Sequence, residues 1–278
     1  MCDLVIPEYL YHYTSVDILA LILKNRTIRL NPLSKLDDKQ EQKSSDTKNI
    51  GSFIFVSSWT SEVDESIPMW KMYTKPDAGV RIRLKSNPFL RQKTAFKDIA
   101  SALSLKVPDG CDSVASIDTF LDISKLVNNG YFSAQAWGGD ILKKVIYTDD
   151  LSLLEPKLIN STKEEFQIII SKMGIYKNTH WQFQNEWRYL MSFFPLNLSI
   201  NFTSSQESFK TLVSNLVQGI EIPPFEHFDL ELDPDVLKDM EITFSPEISV
   251  ANKTIVETLI QKYNPSATLK ESILLGNL

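Results

Sequence analysis

Glycine is scarce: nine residues in a chain of 278. None of them falls in a G-x-x-x-x-G-K-[ST] or a G-x-G-x-x-G pattern, which argues against a glycine-rich loop cradling ATP or a dinucleotide. Cysteine is scarcer still. Cys2 and Cys111 alone cannot build a disulfide framework, and two separate thiols fit a reducing compartment. Cys2 reads as an exposed terminal residue. The three histidines, His12, His180 and His227, have no cysteine pair beside them, so no zinc site is expected and no metal is assigned. No apolar run reaches the length of a membrane span. The opening Met1-Cys2-Asp3-Leu4-Val5-Ile6-Pro7 has neither the basic start nor the apolar core of a signal peptide. A cytoplasmic chain with no membrane partner is therefore expected. Positive charge is also short: 29 Lys+Arg face 35 Asp+Glu, a formal net charge of -6. A surface that coats nucleic acid needs clustered cations, so only a local basic cleft is compatible with this balance.

What is present is an ordinary globular mixture, 43% hydrophobic and 23% charged, long enough for a sizeable core. Residues 9–13 read as an aromatic-rich strand. Thr14 or Ser15 then caps a helix with Asp17 in its first turn, where a carboxylate suits the helix dipole. Ile18, Leu19, Ile22 and Leu23 supply its apolar face, and Asn25 ends it. A short strand follows at 27–30, then a polar loop at 31–50. Phe53-Ile54-Phe55-Val56-Ser57-Ser58-Trp59 reads as a buried strand. Pro68 opens a helical segment in which Trp70 and Tyr73, three apart, share a face. Gly79-Val80-Arg81-Ile82-Arg83-Leu84 alternates as a half-buried strand does. The spacing further predicts helices in 113–136, a turn at Gly138-Gly139, a strand at 145–147 and a helix over 161–176 with Phe166, Ile169, Ile170 and Met173 inward. Strands at 220–223 and 240–244 and a helix from Asn252 to Tyr263 close the chain. A single domain over 1–278 with a helical insertion at about 86–140 is expected.

The stretch Gln184-Asn185-Glu186-Trp187-Arg188-Tyr189-Leu190 carries the most chemistry. Along a strand Gln184, Glu186 and Arg188 point one way and Trp187 and Tyr189 the other. In a cleft, Glu186 would accept a hydrogen bond from a ribose hydroxyl and stabilise a developing oxocarbenium cation, with Gln184 orienting the acceptor. The plainer meaning is a solvent-side Glu186–Arg188 pair on an edge strand. His12, between Tyr11 and Tyr13, could donate to ribose hydroxyls with help from Thr14; it could equally be a core histidine satisfied by a carbonyl. Trp70 and Tyr73 suit a flat cationic ring, or the core. Ser57 and Ser58 could bind a nucleotide or start a turn. Trp181, Phe183 and Trp187 read as packing. Asp37, Asp38 and Glu41 could hold a divalent cation or simply form a solvated loop.

In order, Tyr11-His12-Tyr13-Thr14-Ser15, Leu33-Ser34-Lys35-Leu36-Asp37-Asp38, Phe55-Val56-Ser57-Ser58-Trp59, Pro68-Met69-Trp70-Lys71-Met72-Tyr73, Gly79-Val80-Arg81-Ile82 and His180-Trp181-Gln182-Phe183-Gln184-Asn185-Glu186-Trp187-Arg188 resemble a large bacterial domain-of-unknown-function family. That family's pattern is in turn similar to the His…Tyr…Glu layout of ADP-ribosyltransferases. The resemblance implies an α+β fold with a split, mostly antiparallel sheet and flanking helices. It implies NAD as substrate, with His12 and Thr14 at the ribose, Tyr73 and Trp70 at the nicotinamide, and Glu186 with Gln184 as the catalytic pair; Ser57 would be a further cofactor contact, by its place at the end of the buried strand. Arg81 or Arg188 would meet the pyrophosphate, by guanidinium geometry. A macromolecular acceptor, protein or nucleic acid, and a role as a toxin or phage-defence effector with a neutralising antitoxin or defence-system partner go with it. Two departures stand out: Gln184 where glutamate is common, which tells against arginine as acceptor, and Asp38-Lys39 in place of Asp-Pro. The rival expectations are an inactive nucleotide-binding regulatory module, and a metal-dependent nuclease using Asp37, Asp38, Glu41 and Glu186.

Overall fold

Buried strands organise the first half of the chain. In a computed structural model that describes residues 5–95, 97–98, 101, 116–133, 135, 139–161, 166–195, 211, 214–215, 217–220, 223 and 225–276, β1 (Tyr9–Ser15) leads directly into α1 (Val16–Asn25). Asp17 and Lys24 sit at the ends of α1 that favour their charges. The helix stops where Arg26 turns left-handed and its N–H returns to the Ile22 carbonyl. Its buried face is Val16, Leu19, Ile22 and Leu23, not the set containing Ile18, which is 40% exposed. Ser15 occupies the N-cap position without a side-chain cap bond; its hydroxyl instead bonds Asp17 and lowers that carboxyl. Leu19 is fully buried, and truncating such a residue to alanine costs about 2–5 kcal/mol.

The remaining elements follow as β2 (Thr27–Pro32), β3 (Ile54–Thr60), α2 (Ile67–Tyr73), β4 (Gly79–Lys85), β5 (Gln92–Ala95), β6 (Ser116–Thr119), α3 (Ile123–Asn128), β7 (Tyr131–Phe132), β8 (Leu142–Lys144) and β9 (Ile146–Tyr147). Then come α4 (Leu151–Leu154), β10 (Ile159–Ser161), β11 (Phe166–Ile168), β12 (Tyr176–Lys177), β13 (Glu186–Ser192) and β14 (Phe194–Pro195). Last are β15 (Phe228–Glu231), α5 (Pro234–Leu237), β16 (Glu241–Phe244), α6 (Val250–Tyr263) and β17 (Thr268–Lys270). Among the described residues nine strands form one sheet in the order β15-β2-β3-β1-β4-β16-β17, with β13 joined to β3 and β8 to β13. All its pairings are antiparallel except β16 with β17. The chain is thus mixed α and β with a mostly antiparallel sheet. No helix among the described residues is long and apolar enough to cross a membrane.

Two apolar clusters cover the sheet. The larger joins α1 and α6 to inward residues such as Leu10, Ile82, Trp187 and Tyr189. The smaller gathers Leu33, Phe53, Ile54, Met173 and Leu190. The alternation of β13 therefore divides it: Trp187, Tyr189 and Met191 enter one cluster, while Leu190 enters the other with Glu186 and Arg188 beyond it.

Several expected elements differ. The described residues of 161–176 are not a helix: β10 pairs with β11, and a single 3-10 turn at Ile170–Lys172 follows, residues 162–165 lying outside the described set. The β-branched Ile168-Ile169-Ile170 run favours extended backbone, and Gly174, with a φ of 76°, turns the chain. In the segment from 86 to 140, much of which lies outside the described residues, β5 pairs with β6, and the α-helical positions described are 97–98, 101 and the six residues of α3. Residues 113–115 and Gly138 lie outside the described set, as do Cys2, Cys111, Glu221 and Ile222. The late strand is Phe228–Glu231, paired with β2.

Candidate functional site

The site begins where a strand ladder stops. β1 meets β3 only at Tyr11 opposite Thr60, and farther along β3 it is β2 that pairs, through Asn31 with Val56 and Pro32 with Phe55. Between those contacts β1 turns away into α1, and Ser57 and Ser58 lie at the floor of the opening. The carbonyl of Ser58 receives its hydrogen bond from the His12 ring, Nδ1 to O at 2.8 Å. A carbonyl can only accept, so Nδ1 carries the proton. Burial lowers the His12 pKa from its ordinary value, partly offset by this bond. The imidazole is therefore neutral near pH 7, and Nε2 holds a free lone pair. The ring also packs on Trp59, centroids 4.9 Å apart.

Two adjoining hollows occupy this opening. The larger, about 340 Å³, is lined on one side by His12, Thr14 and Ser57 and on the other by Ile18, Leu21 and Arg29; its volume lies in the range of small-molecule sites. The exposed faces of Ile18 and Leu21 form its apolar wall. The smaller, about 100 Å³, runs past Asp37, Asp38 and Met69 to Lys177, Gln184 and Glu186. The two share His12, Tyr13, Leu36, Asp37, Ser58 and Tyr73, so they form one bent groove.

Tyr73 stands at the bend at the end of α2, a helix pinned at its N-terminus. Ser66 caps it through Met69 N, and the Ser66 N–H donates to the Tyr13 hydroxyl at 3.0 Å. Trp70 does not share the Tyr73 face. It packs edge-on against Tyr13 at 4.9 Å, donates to Glu65 at 2.9 Å and is only 3% exposed. Three residues on a helix differ by about 60° in direction, enough to send one ring inward and the other to the groove.

Beyond Tyr73 lies a buried charge cluster. Glu186 is 3% exposed and Arg188 is fully buried. Arg188 Nε donates to Glu186 Oε1 at 2.6 Å and Nη2 to Oε2 at 3.0 Å. Its Nη1 reaches the Gly174 carbonyl at 3.0 Å and pairs with Glu41. Lys177 Nζ lies 2.7 Å from Gln184 Oε1, 3.0 Å from Glu186 Oε2 and 3.2 Å from Glu41 Oε1. Gln184 Nε2 then donates to the Tyr73 hydroxyl, and the Tyr147 hydroxyl accepts the Glu186 N–H at 2.9 Å. Burial would raise the Glu186 carboxyl, but the adjacent Arg188 and Lys177 charges and the Ser58 hydroxyl outweigh it and hold it at about 2. Burial, with the Glu186 charge beside it, pushes the Tyr73 phenol up.

The opening therefore brings His12, Thr14, Ser57, Tyr73, Gln184 and Glu186 to one groove. It does not bring Trp70, Arg81 or Arg188. Arg81 is 6% exposed, lies over the Tyr11 ring at 4.6 Å and donates to the Val63 carbonyl. Arg188 is enclosed by its partners, so neither guanidinium can meet a pyrophosphate. Glu186 and Arg188 are not a solvent-side pair on an edge strand: β13 is flanked by β3 and β8. Gln184 lies at the end of the 3-10 turn Thr179–Gln184, and Asn185, with a φ of 40°, kinks the chain before β13. Phe183 is 42% exposed and is not packing. Ser57 and Ser58 are mid-strand and not at a turn.

Lys177 and Tyr147 are site residues that sequence reasoning missed; no motif surrounds them, and their alignment depends on β12 pairing with β9. Glu41 was visible as part of an acidic cluster, but its partners were not. Among the described residues, no three His, Cys, Asp or Glu groups converge as a metal site, and Glu41 and Glu186 are each matched to Arg188 and Lys177. That donor set does not suit the nuclease reading, because a cation would have to displace two buried ion pairs. No family model, curated protein or solved structure matches this chain.

Proposed function

We propose that this protein is an NAD-dependent mono-ADP-ribosyltransferase that modifies a macromolecular acceptor, protein or nucleic acid, on an ADP-ribosyltransferase-like split sheet. The observation that carries the reading is that His12 and Glu186, 174 positions apart, open on the same bent groove with Tyr73 at its elbow. Charge along the groove supports it. The small hollow is lined by four carboxylates, Asp37, Asp38, Glu41 and Glu186, against Lys177 and the Arg188 behind it. Four negative against two positive groups favour a cationic ring. The large hollow carries Arg29 and Lys35 beside Asp37 and Asp229; the half-buried Asp229 holds Arg29 through both carboxylate oxygens, while the exposed Glu226 holds Lys35 only weakly, which leaves Lys35 the freer cation for a phosphate. A pyrophosphate fits that end and a nicotinamide the other.

In this reading the neutral His12 accepts a hydrogen bond from a ribose hydroxyl through Nε2, instead of donating one. Thr14 and the Ser57–Ser58 edge hold the same ribose, and the Tyr73 ring flanks the nicotinamide. Asp38 Oδ2, buried and without a hydrogen-bond partner among the described residues, can accept from the ligand carboxamide. As the glycosidic bond breaks, its electron pair goes to the nicotinamide nitrogen and the ring leaves neutral. Positive charge grows on the ribose and faces Glu186, ionised throughout the physiological range. A lone pair of the acceptor then bonds the anomeric carbon, and its proton passes to solvent. The setting we propose with it, a toxin or phage-defence effector with a neutralising partner, rests on the family resemblance.

One observation favours a second reading. Glu186 already accepts two bonds from Arg188 and one from Lys177, which suits a module that binds the nucleotide without turning it over. Incubation with NAD labelled in its adenylate, in the presence of separate pools of cell protein, DNA and RNA, tests both. Label joined to one pool with nicotinamide released supports the transferase. Saturable binding with no release supports the module, and the absence of both overturns NAD as the ligand of the groove.

A further inference from the structure

The ammonium of Lys177 is almost enclosed, 5% exposed, yet it borders the small hollow. Of its three N–H donors two are hydrogen-bonded, to Gln184 and Glu186, and a third group, the Glu41 carboxylate, forms an ion pair with it at 3.2 Å; the three partners come from separate segments. Gln184 comes from the 3-10 turn, Glu186 from β13 and Glu41 from the loop after β2. The Trp181 ring lies 4.9 Å away and supports the charge from outside. Because Lys177 can only donate, Gln184 must turn its amide oxygen to it. The amide nitrogen then points to the Tyr73 hydroxyl, and that is the bond observed.

We infer that Lys177 is the positioning residue of this site: one ammonium holds the Glu186 carboxylate directly and, through the Gln184 amide, the Tyr73 ring on the opposite wall of the hollow. The inference rests on the proposed NAD reaction for its consequence, though not for its geometry. Gln184 is thereby occupied at both ends of its amide and 3% exposed, so it sets the wall instead of meeting the acceptor. Lys177 also shares with Arg188 the task of neutralising Glu186 and Glu41. Tyr73, Tyr147 and the Ser58 hydroxyl complete the groups facing the carboxylate, with Asp37 and Asp38 across the hollow.

The test uses the full chain with Lys177→Met and Lys177→Arg. The double variant Lys177→Met with Glu41→Gln removes one charge of each sign, so the cluster stays neutral even where the single change does not fold. Two readouts are taken: nicotinamide release as kcat and KM across pH, and the titration of the Glu186 carboxyl by carbon NMR, assigned with Glu186→Gln. The expected result is a kcat about tenfold or more lower in both methionine variants, an acid limb moved to higher pH, and a Glu186 titration moved the same way. Lys177→Arg recovers part of the loss. Wild-type kcat, KM and Glu186 titration in a folded methionine variant overturn the inference, as does a loss of melting temperature with kcat and its pH profile unchanged. If the wild-type chain releases no nicotinamide, the transferase reading fails, and the Glu186 titration alone decides the role of Lys177.

Discussion

His12 gives its Nδ1 proton to the carbonyl of Ser58 at 2.8 Å, at the point where β1 and β3 cease to pair. One side chain thus does the work of a missing strand rung and leaves its second nitrogen facing the groove. Removing it withdraws the only donor shown for that carbonyl. His12→Ala is expected to lower stability by about 1–3 kcal/mol, the cost of leaving a buried acceptor unmatched. Urea denaturation at pH 8 checks this; an unchanged midpoint would mean that water serves the carbonyl equally well.

Acid should destabilise the protein in two stages. Burial holds the folded His12 pKa below its ordinary value of 6.5, so the unfolded chain binds the proton more readily. Stability is whole above about 6.5 and falls as pH drops beneath it. Glu186 is held at about 2 against 4.5 unperturbed, so its contribution is present above 4.5 and is lost as pH falls from there towards 2. Denaturation midpoints between pH 8 and pH 3 should show both steps, and Glu186→Gln should flatten the lower one. A midpoint constant from pH 8 to pH 4.5 contradicts the assignment for His12, and one that falls no further between pH 4.5 and pH 3 contradicts that for Glu186.

Glu186→Gln is expected to reduce nicotinamide release by about 100-fold or more, the scale of losing one electrostatic contact in an enzyme site. Arg188 then lacks the carboxylate that it meets with two N–H groups, so the variant should also be less stable. Arg188→Met should be worse, losing about 3–5 kcal/mol because Glu186 and Glu41 remain buried with one cation fewer. Circular dichroism melts separate the two effects. A well-folded Glu186→Gln with wild-type release removes the carboxylate from the chemistry.

Lys35→Ala and Arg29→Ala should weaken NAD binding by about two- to tenfold each, as expected of exposed cations meeting phosphate. The effect should fade at high salt. Arg83→Ala, on the strand beyond Arg81 and paired with Glu241 at 3.2 Å, should leave affinity unchanged. Equal losses from all three would point to the overall field of the protein instead of a phosphate-binding end.

Much of this was legible in the sequence, in a particular way. The alternation of 186–192 correctly separated Glu186 and Arg188 from Trp187 and Tyr189. It could not show that the charged face was also buried, because that depends on the distant segments bearing Glu41 and Lys177. Arg188 was read as free for phosphate for the same reason. Ile18 fitted the apolar period of α1, yet it lies at the edge of the buried stripe and faces the groove instead. Phe166, Ile169, Ile170 and Met173 matched a helical period as well, but β-branching and Gly174 decided for strand and turn. Lys177 sits in no motif; only the pairing of β12 with β9 brings it beside Gln184.

The most direct measurement is calorimetric titration of NAD into the wild-type chain, His12→Ala and Arg83→Ala. The expected result is saturable binding to the wild type and to Arg83→Ala, weakened by about tenfold or more in His12→Ala through loss of the ribose contact. No saturable heat with the folded wild-type chain, or equal affinity in all three proteins, would contradict a nucleotide seated between His12 and Glu186.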